Sequence, residues 1–219
     1  MTDAVVSQIS SPSDAEIDFA IDFLDAVFAK SEFHMMAVGR DLTVSRLFMA
    51  WVVNAGFENG EVYFAKGTVE GTEKVLGVVV WFPPGRSVDN NEGVNQQWMD
   101  PYLASFSPEM SKWNSEVFMH TMHQVEDDSF GKGYKLANYH LQLIGISEDA
   151  RGKGISRRVI ETVKAKTHAQ GVSLCLEATS EQNANIYERL GFKRMGEGTI
   201  TGAPRVSGEE TFFCMVCEP

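Results

Sequence analysis

The chain has no run approaching 18 consecutive apolar residues, so no segment qualifies as a membrane-spanning helix. Its three cysteines, Cys175, Cys214 and Cys217, are an odd number and form no disulfide framework. A reducing compartment, most simply the cytoplasm, is the expectation. The opening residues, Met1 to Val6, lack the basic and apolar regions of a secretory signal. Positive charge is also scarce: 19 Lys and Arg stand against 30 Asp and Glu, a net −11. A body this acidic is a poor partner for nucleic acid and attracts small cations instead. With 43% hydrophobic and 22% charged residues, the chain is neither disordered nor collagen-like. Its 219 residues suffice for one sizeable core, and one domain over residues 1–219 is expected.

One stretch departs from the acidic background. From Glu148 to His168, six basic residues face three acidic ones, leaving that segment at +3 and the remainder at −14. A basic island of this kind suggests a bound anion.

Periodicity outlines the elements around it. Val5 to Ile9 reads as a strand, and Ser13 with Glu16 forms a capping box ahead of a helix carrying Ile17, Ala20, Ile21, Leu24 and Phe28. A second helix is predicted over 43–55. Strands are predicted over 61–66 and 74–82, the latter stopped by Pro83-Pro84-Gly85. An aromatic- and Met-rich insert near residues 90–130 reads as helical pieces separated by Pro101 and Pro108, with a loop over 127–133. A strand follows over 139–146, with Leu141 and Leu143 on one face and His140, Gln142, Ile144 and Ile146 on the other. Next come a helix over 154–170, a strand over 172–177, a short helix capped by Ser180, and closing strands over 192–200 and 211–217.

The chemistry concentrates at Ile146 to Ser156, where a strand passes through a glycine-bearing loop into a helix. Glycines let successive N–H groups converge near the helix N-terminus, an anion cradle to which Arg151 and Lys153 add full charge. The spacing is neither a Walker A loop nor a dinucleotide fingerprint. The run Arg151, Gly152, Lys153, Gly154, Ile155, Ser156 resembles the acetyl-CoA pyrophosphate loop of the GCN5-related N-acetyltransferase (GNAT) family, with Ser156 where Gly or Ala is usual. Downstream, Asn183 and Tyr187 followed by Gly191-Phe192 resemble that family's second signature. Leu176-Glu177 and the strand end Val79 to Pro84 are similar to puromycin N-acetyltransferase-type enzymes of small molecules.

The resemblance implies an α+β fold: a central mixed, mostly antiparallel sheet flanked by helices, with the insert near 90–130. It implies direct acetyl transfer from acetyl-CoA, with no metal and no acyl-enzyme. The backbone of Ile144 and Ile146 would pair with the pantetheine arm, and the loop and Asn183 would complete the co-substrate site. Tyr187 would be the acid that protonates the departing thiolate. Glu177 is the first candidate base, since desolvation between Leu176 and Ala178 would raise its pKa; a structural partner of a basic group is the other reading. His140 or a water chain remain open as bases. His34, His120 and His123 lie where a pocket could form, and Trp98 and Trp113 are candidates for its wall or for a plain helical layer over the sheet. The cysteines read as small buried hydrophobes, and Cys214-x-x-Cys217 lacks the second pair a zinc site needs.

The expectation is a cytoplasmic N-acetyltransferase of a small amine, with detoxification as a candidate role, working as a monomer or homodimer without nucleic acid or membrane. The alternatives are a protein or peptide N-acetyltransferase and a non-catalytic acyl-CoA sensor on the same fold.

Overall fold

The computed structural model describes residues 4–88 and 96–219. The sequence expectations for Met1 to Asp3 and for the first residues of the insert, 90–95, lie outside the described residues. A single seven-stranded sheet runs from Val5 to Cys217. Its strands are β1 (Val5–Gln8), β2 (Glu61–Val69), β3 (Thr72–Phe82), β4 (Tyr139–Ile146), β5 (Leu174–Ala178), β6 (Lys193–Thr201) and β7 (Glu209–Cys217). They lie in the order β1-β2-β3-β4-β5-β7-β6, antiparallel throughout except where β4 meets β5. The mixed, mostly antiparallel sheet of an α+β fold is therefore present.

Nine α-helices are described: α1 (Asp14–Phe28), α2 (Glu32–Ala37), α3 (Leu42–Asn59), α4 (Gln96–Ala104), α5 (Pro108–Trp113), α6 (His120–Phe130), α7 (Tyr134–Ala137), α8 (Ile155–Gln170) and α9 (Glu181–Glu188). The capping box at the start of α1 forms as its sequence predicts: Glu16 N–H donates to Ser13 Oγ, and Ser13 N–H donates to Glu16 Oε2 at 2.9 Å. α1 can lie close on β4 because Gly145 has no side chain; a Cβ there would sit 2.7 Å from Leu24 Cδ2.

Two expectations change. Pro101 sits inside α4 rather than between helices. Helix α6 is joined to α5 by a π-helical turn (Asn114–Met119) and continues to Phe130, so the loop begins only at Gly131. α2 went unpredicted, because six residues are too few to show a helical period.

Helices cover both faces of the sheet. On one face α8 and α9 bury Val159, Ile160, Val163, Ala184 and Tyr187 against Val79, Trp81, Leu141, Leu174, Leu176, Phe213 and Met215. The other face carries two separate apolar clusters. One lies under α1, α3 and α4, with Leu24, Val52, Val78, Val80, Phe82 and Leu143. The second lies between α2, α5 and strands β6 and β7, with Phe33, Met110, Trp113, Ile200 and Phe212. Hydrophobic burial is continuous on the first face and interrupted on the second.

His34 packs against the first of these clusters. It is 7% exposed, packed between the rings of Phe28 and Phe48. Its Nε2 lies 2.9 Å from Ser45 Oγ, and the Ser45 hydroxyl donates to Asp25, tying α1, α2 and α3 together. Because Ser45 gives its proton to Asp25, His34 must be the donor to Ser45, the reverse of a serine nucleophile activated by histidine. Burial pushes the His34 imidazole down to about 4.

The unfolded chain protonates this group below about 6.5, whereas the folded chain keeps it neutral. His34 therefore contributes stability that is fully present above pH 6.5 and is lost as pH falls toward 4. Chemical denaturation across that window should show a decline of up to about 3 kcal/mol from this group. His34→Gln keeps a donor but cannot titrate, and its curve should lack that share of the slope.

Candidate active site

Strands β4 and β5 leave the sheet's bottom edge together and then part. Their parallel register covers only Tyr139↔Leu174, His140↔Cys175 and Leu141↔Leu176. Beyond that point β5 keeps its other partner, Glu177↔Cys214 and Ala178↔Phe213. β4 keeps β3 as far as Gly77↔Ile146. Among the described residues, the β5-facing edge of Gln142 to Ile146 thus has no strand beside it, and an extended chain-like ligand could pair there as a strand does. Ile144 and Ile146, expected to lend their backbones, lie on this edge.

At the point of parting β4 carries a bulge. Val80 pairs with Leu143 and Trp81 with Leu141, leaving Gln142 as the extra residue. The bulge corrects the predicted alternation. Leu141 packs on the α8/α9 face and Leu143 on the opposite face, and Ile144 and Ile146 join the side of Leu141. His140 keeps its predicted place opposite Leu141.

Above the open edge lies the glycine-bearing loop. Gly152 and Gly154 have φ of +73° and +81°, and a Cβ on either would meet nothing within 4 Å. These glycines are needed for backbone conformation rather than for space. Gly154 caps α8 without a side chain, and the first helical bond recorded across the cap is Arg158 N–H to Gly154 C=O at 3.2 Å. The amides of Ile155, Ser156 and Arg157 therefore face outward without helical partners, at the positive end of a 16-residue helix. Arg151 and Lys153 are exposed beside them, while the Ile155 side chain is buried in the core. A hollow of about 360 Å³ between α1 and the turn before this loop is lined by Phe23, Lys30, Ser147, Glu148, Asp149 and Arg151 among others, with Lys30 paired to Glu148. The outward amides of α8, with Arg151 and Lys153 beside them, fit a phosphate-bearing ligand.

α9 stands on the α8/α9 face directly after β5. Tyr187 is buried there against Phe192, with ring centroids 5.5 Å apart. Its hydroxyl has no hydrogen-bond partner among the described residues, and burial pushes its pKa up, so the phenol stays protonated. Asn183, one turn earlier, is exposed; its backbone N–H donates to Ser180 Oγ.

Glu177 is not beside Tyr187. Its neighbours Leu176 and Ala178 face the α8/α9 cluster, so strand alternation sends the Glu177 carboxylate to the opposite face. There it enters the gap between the two apolar clusters. Glu177 Oε2 lies 2.8 Å from His140 Nε2, Glu177 Oε1 lies 3.3 Å from Lys135 Nζ, and Lys135 Nζ lies 2.8 Å from Glu126 Oε1. Burial pushes the Glu177 carboxyl up, but the Lys135 ammonium and the His140 imidazole outweigh that and hold it below the usual carboxylate range. This corrects the expected upward shift. Glu126, in contrast, is pushed up by its own burial and by the charge of Glu177. Burial alone would lower the Lys135 ammonium, yet the two carboxylates raise it.

Beside this cluster opens a cavity of about 250 Å³, lined by His123, Glu126, Tyr134, Lys135, His140 and Gln142 among others. Of the other sequence candidates, only His123 reaches it. His120 is exposed, Trp98 packs against the α3 cluster, and Trp113 is buried with Nε1 donating to Thr201 C=O at 2.8 Å. Sequence reasoning missed Glu126 and Lys135, which lie in a stretch without a motif; a carboxylate on an aromatic-rich helix was the available signal.

All three thiols are free and buried. Burial pushes Cys175 up and Cys214 up to about 12, so neither forms a thiolate readily. Cys214 and Cys217 point to opposite faces of β7 and cannot share a ligand. Among the described residues, no group of His, Cys, Asp and Glu is placed to hold a metal, and no helix is long and apolar enough to cross a membrane.

Comparison with known proteins accords with this architecture. The chain is 18% identical to an agmatine N-acetyltransferase of known structure, with a TM-score of 0.63 over 99% of this chain and 100% of that one. It is 19% identical to a histone acetyltransferase HPA2 and related acetyltransferase from Corynebacterium glutamicum, with a TM-score of 0.61 over 100% and 97%. An uncharacterized N-acetyltransferase of Schizosaccharomyces pombe is 23% identical over 130 residues, 59% of this chain and 52% of that protein. The chain spans about half the length of the curated relatives it matches. The family model for the acetyltransferase (GNAT) domain matches residues 88–202, just over half of the chain. With the parted strands and the glycine loop in its expected place, the chain belongs to the GNAT acetyltransferase family.

Proposed function

We propose that the chain transfers an acetyl group from acetyl-CoA directly to the amine of a small molecule. The observation that carries this reading is the unpaired edge of β4, running from the outward amides of α8 down to the cavity beside His140. A pantetheine arm paired along Gln142 to Ile146 would join pyrophosphate at the loop to a thioester near the bulge. Arg151, Gly152, Lys153, Gly154, Ile155 and Ser156 would hold the pyrophosphate, with Asn183 near the arm. The cavity's volume of about 250 Å³ favours a small acceptor over a peptide, in keeping with the agmatine acceptor in the name of one structural relative.

The proton acceptor in this reading is His140, with Glu177 as its positioning residue. An ionised Glu177 accepts a hydrogen bond from Nε2–H, which leaves the Nδ1 lone pair for the substrate. His140 Nδ1 takes one proton from the acceptor's ammonium, and the freed nitrogen lone pair attacks the thioester carbonyl carbon. The C–N bond forms and the C–S bond breaks. The leaving thiolate takes the phenolic proton of Tyr187, and the phenolate recovers a proton from the acylated nitrogen. One proton in total leaves through His140, and the products are an amide and CoA thiol.

A panel of arylalkylamines, polyamines, aminonucleosides and basic peptides, assayed by thiol release from acetyl-CoA, tests the assignment. Small amines should respond; response to peptides alone would move the acceptor to protein. Tyr187→Phe should lower kcat by about 10²-fold with little change in acetyl-CoA affinity, and an unchanged rate removes Tyr187 from this role. Gly154→Glu strains a left-handed position and sets a negative charge at the cradle. Calorimetry should show acetyl-CoA binding weakened by about tenfold or more.

A further inference from the structure

With His140 neutral, as its role as proton acceptor requires, the buried cluster between the two apolar clusters carries two carboxylates and one ammonium. One ammonium, Lys135, lies within 2.8 Å of Glu126 and 3.3 Å of Glu177. Glu177 is the carboxylate held ionised, and it also carries the hydrogen bond to His140. Lys135 can cancel only one of the two negative charges, so Glu126, hydrogen-bonded to it, shares that ammonium with Glu177. The Glu126 side chain is 12% exposed, and it lies on the cavity wall. Asp127 lines the same cavity from an exposed position and adds a further negative charge. The other side of the cavity is aromatic: Phe130 and Tyr134 stack with centroids 5.6 Å apart at 20°.

We propose that this cavity takes the acceptor as an organic cation, a protonated primary amine on a compact apolar or aromatic body, with Glu126 as its counter-ion. The inference rests on the acetyl-transfer reading and deepens it. A carboxylate that is only half compensated in a low-dielectric wall attracts a cation more strongly than one in water. The ammonium would complete the ion cluster that Lys135 leaves unfinished, while the stacked rings of Phe130 and Tyr134 receive the body. His140, on the same wall, is then within the cavity that holds the proton it must take. Acetylation converts the cation to a neutral amide, which no longer pairs with Glu126. The charge that captures the substrate thus does nothing to retain the product.

The test uses the full chain and calorimetric titration with phenethylamine, cadaverine and agmatine, with 2-phenylethanol as the neutral match to phenethylamine. At least one amine should bind the wild type, and the alcohol should bind much more weakly than phenethylamine. Glu126→Gln keeps an oxygen for Lys135 but removes the surplus charge. It should weaken amine binding by about tenfold or more and raise KM more than it lowers kcat, with acetyl-CoA binding unchanged. Glu126→Asp should recover part of the affinity. A thermal melt separates this role from a structural one: relieving surplus charge should leave Tm equal or higher, whereas loss of a structural partner for Lys135 would lower it.

If no amine binds, if phenethylamine and the alcohol bind alike, or if Glu126→Gln binds amines as the wild type does, the inference is overturned. Amine binding that depends on Glu126 without thiol release would sink the acetyl-transfer reading and leave the cation site standing. Thiol release with an unchanged KM in Glu126→Gln would do the opposite.

Discussion

Two parallel strands that pair for three residues and then separate are the constraint on which the candidate site depends. Parallel neighbours in a covered sheet normally continue together, because each backbone group buried without a partner costs free energy. Here β4 is held to β3 by register and by Gly145, which lets α1 rest on it, while β5 is held to β7 along its whole length. Each strand is satisfied on its outer side and open on its inner side. The gap is maintained by the neighbours of the two strands and needs nothing inside it to persist. The loop above it and the tyrosine helix beside it are direct continuations of the two separating strands.

The same parting explains where the buried charges sit. On the α8/α9 face one apolar cluster runs under both helices, and the Glu61–Lys166 ion pair lies beside it, bonded to the Tyr63 hydroxyl. On the other face coverage splits into two apolar clusters. Glu177, His140, Lys135 and Glu126 occupy the boundary between them. Four ionisable groups in such a place are costly unless they satisfy one another, and three of the links are short. Their mutual attraction reverses the ordinary effect of burial at Glu177 and leaves it in force at Glu126. Neighbouring carboxylates pushed in opposite directions are a common mark of proton-handling sites.

Much of this was readable from residue types. The capping box of α1, the glycine loop into α8 and the strand–helix passage to Tyr187 follow from local spacing, because each depends on residues within a few positions of one another. The places where reading failed involve distant partners. Whether Glu177 titrates high or low depends on Lys135, 42 positions earlier in the chain, and on His140, neither of which its own flanks reveal. Glu126 and Lys135 acquire meaning only when α6 folds over β6 and β7 and α7 over β4. The alternation of β4 failed at a single residue, since a bulge depends on pairing with β3 and leaves no local mark at Gln142.

That extra residue has a consequence for how the strand can vary. Leu141 and Leu143 look like repeats of one position, yet they serve different hydrophobic clusters on opposite sides of the sheet. A one-residue deletion between them, of Gln142, would restore perfect alternation and leave every other side chain on its present face, with Leu141, Ile144 and Ile146 toward α8 and α9 and His140, Leu143 and Gly145 away from them. Loss of Ile144 would instead bring Ile146 into the place of Gly145, where a Cβ would sit 2.7 Å from Leu24 Cδ2. The bulge is thus where β4 can change length without exchanging its faces.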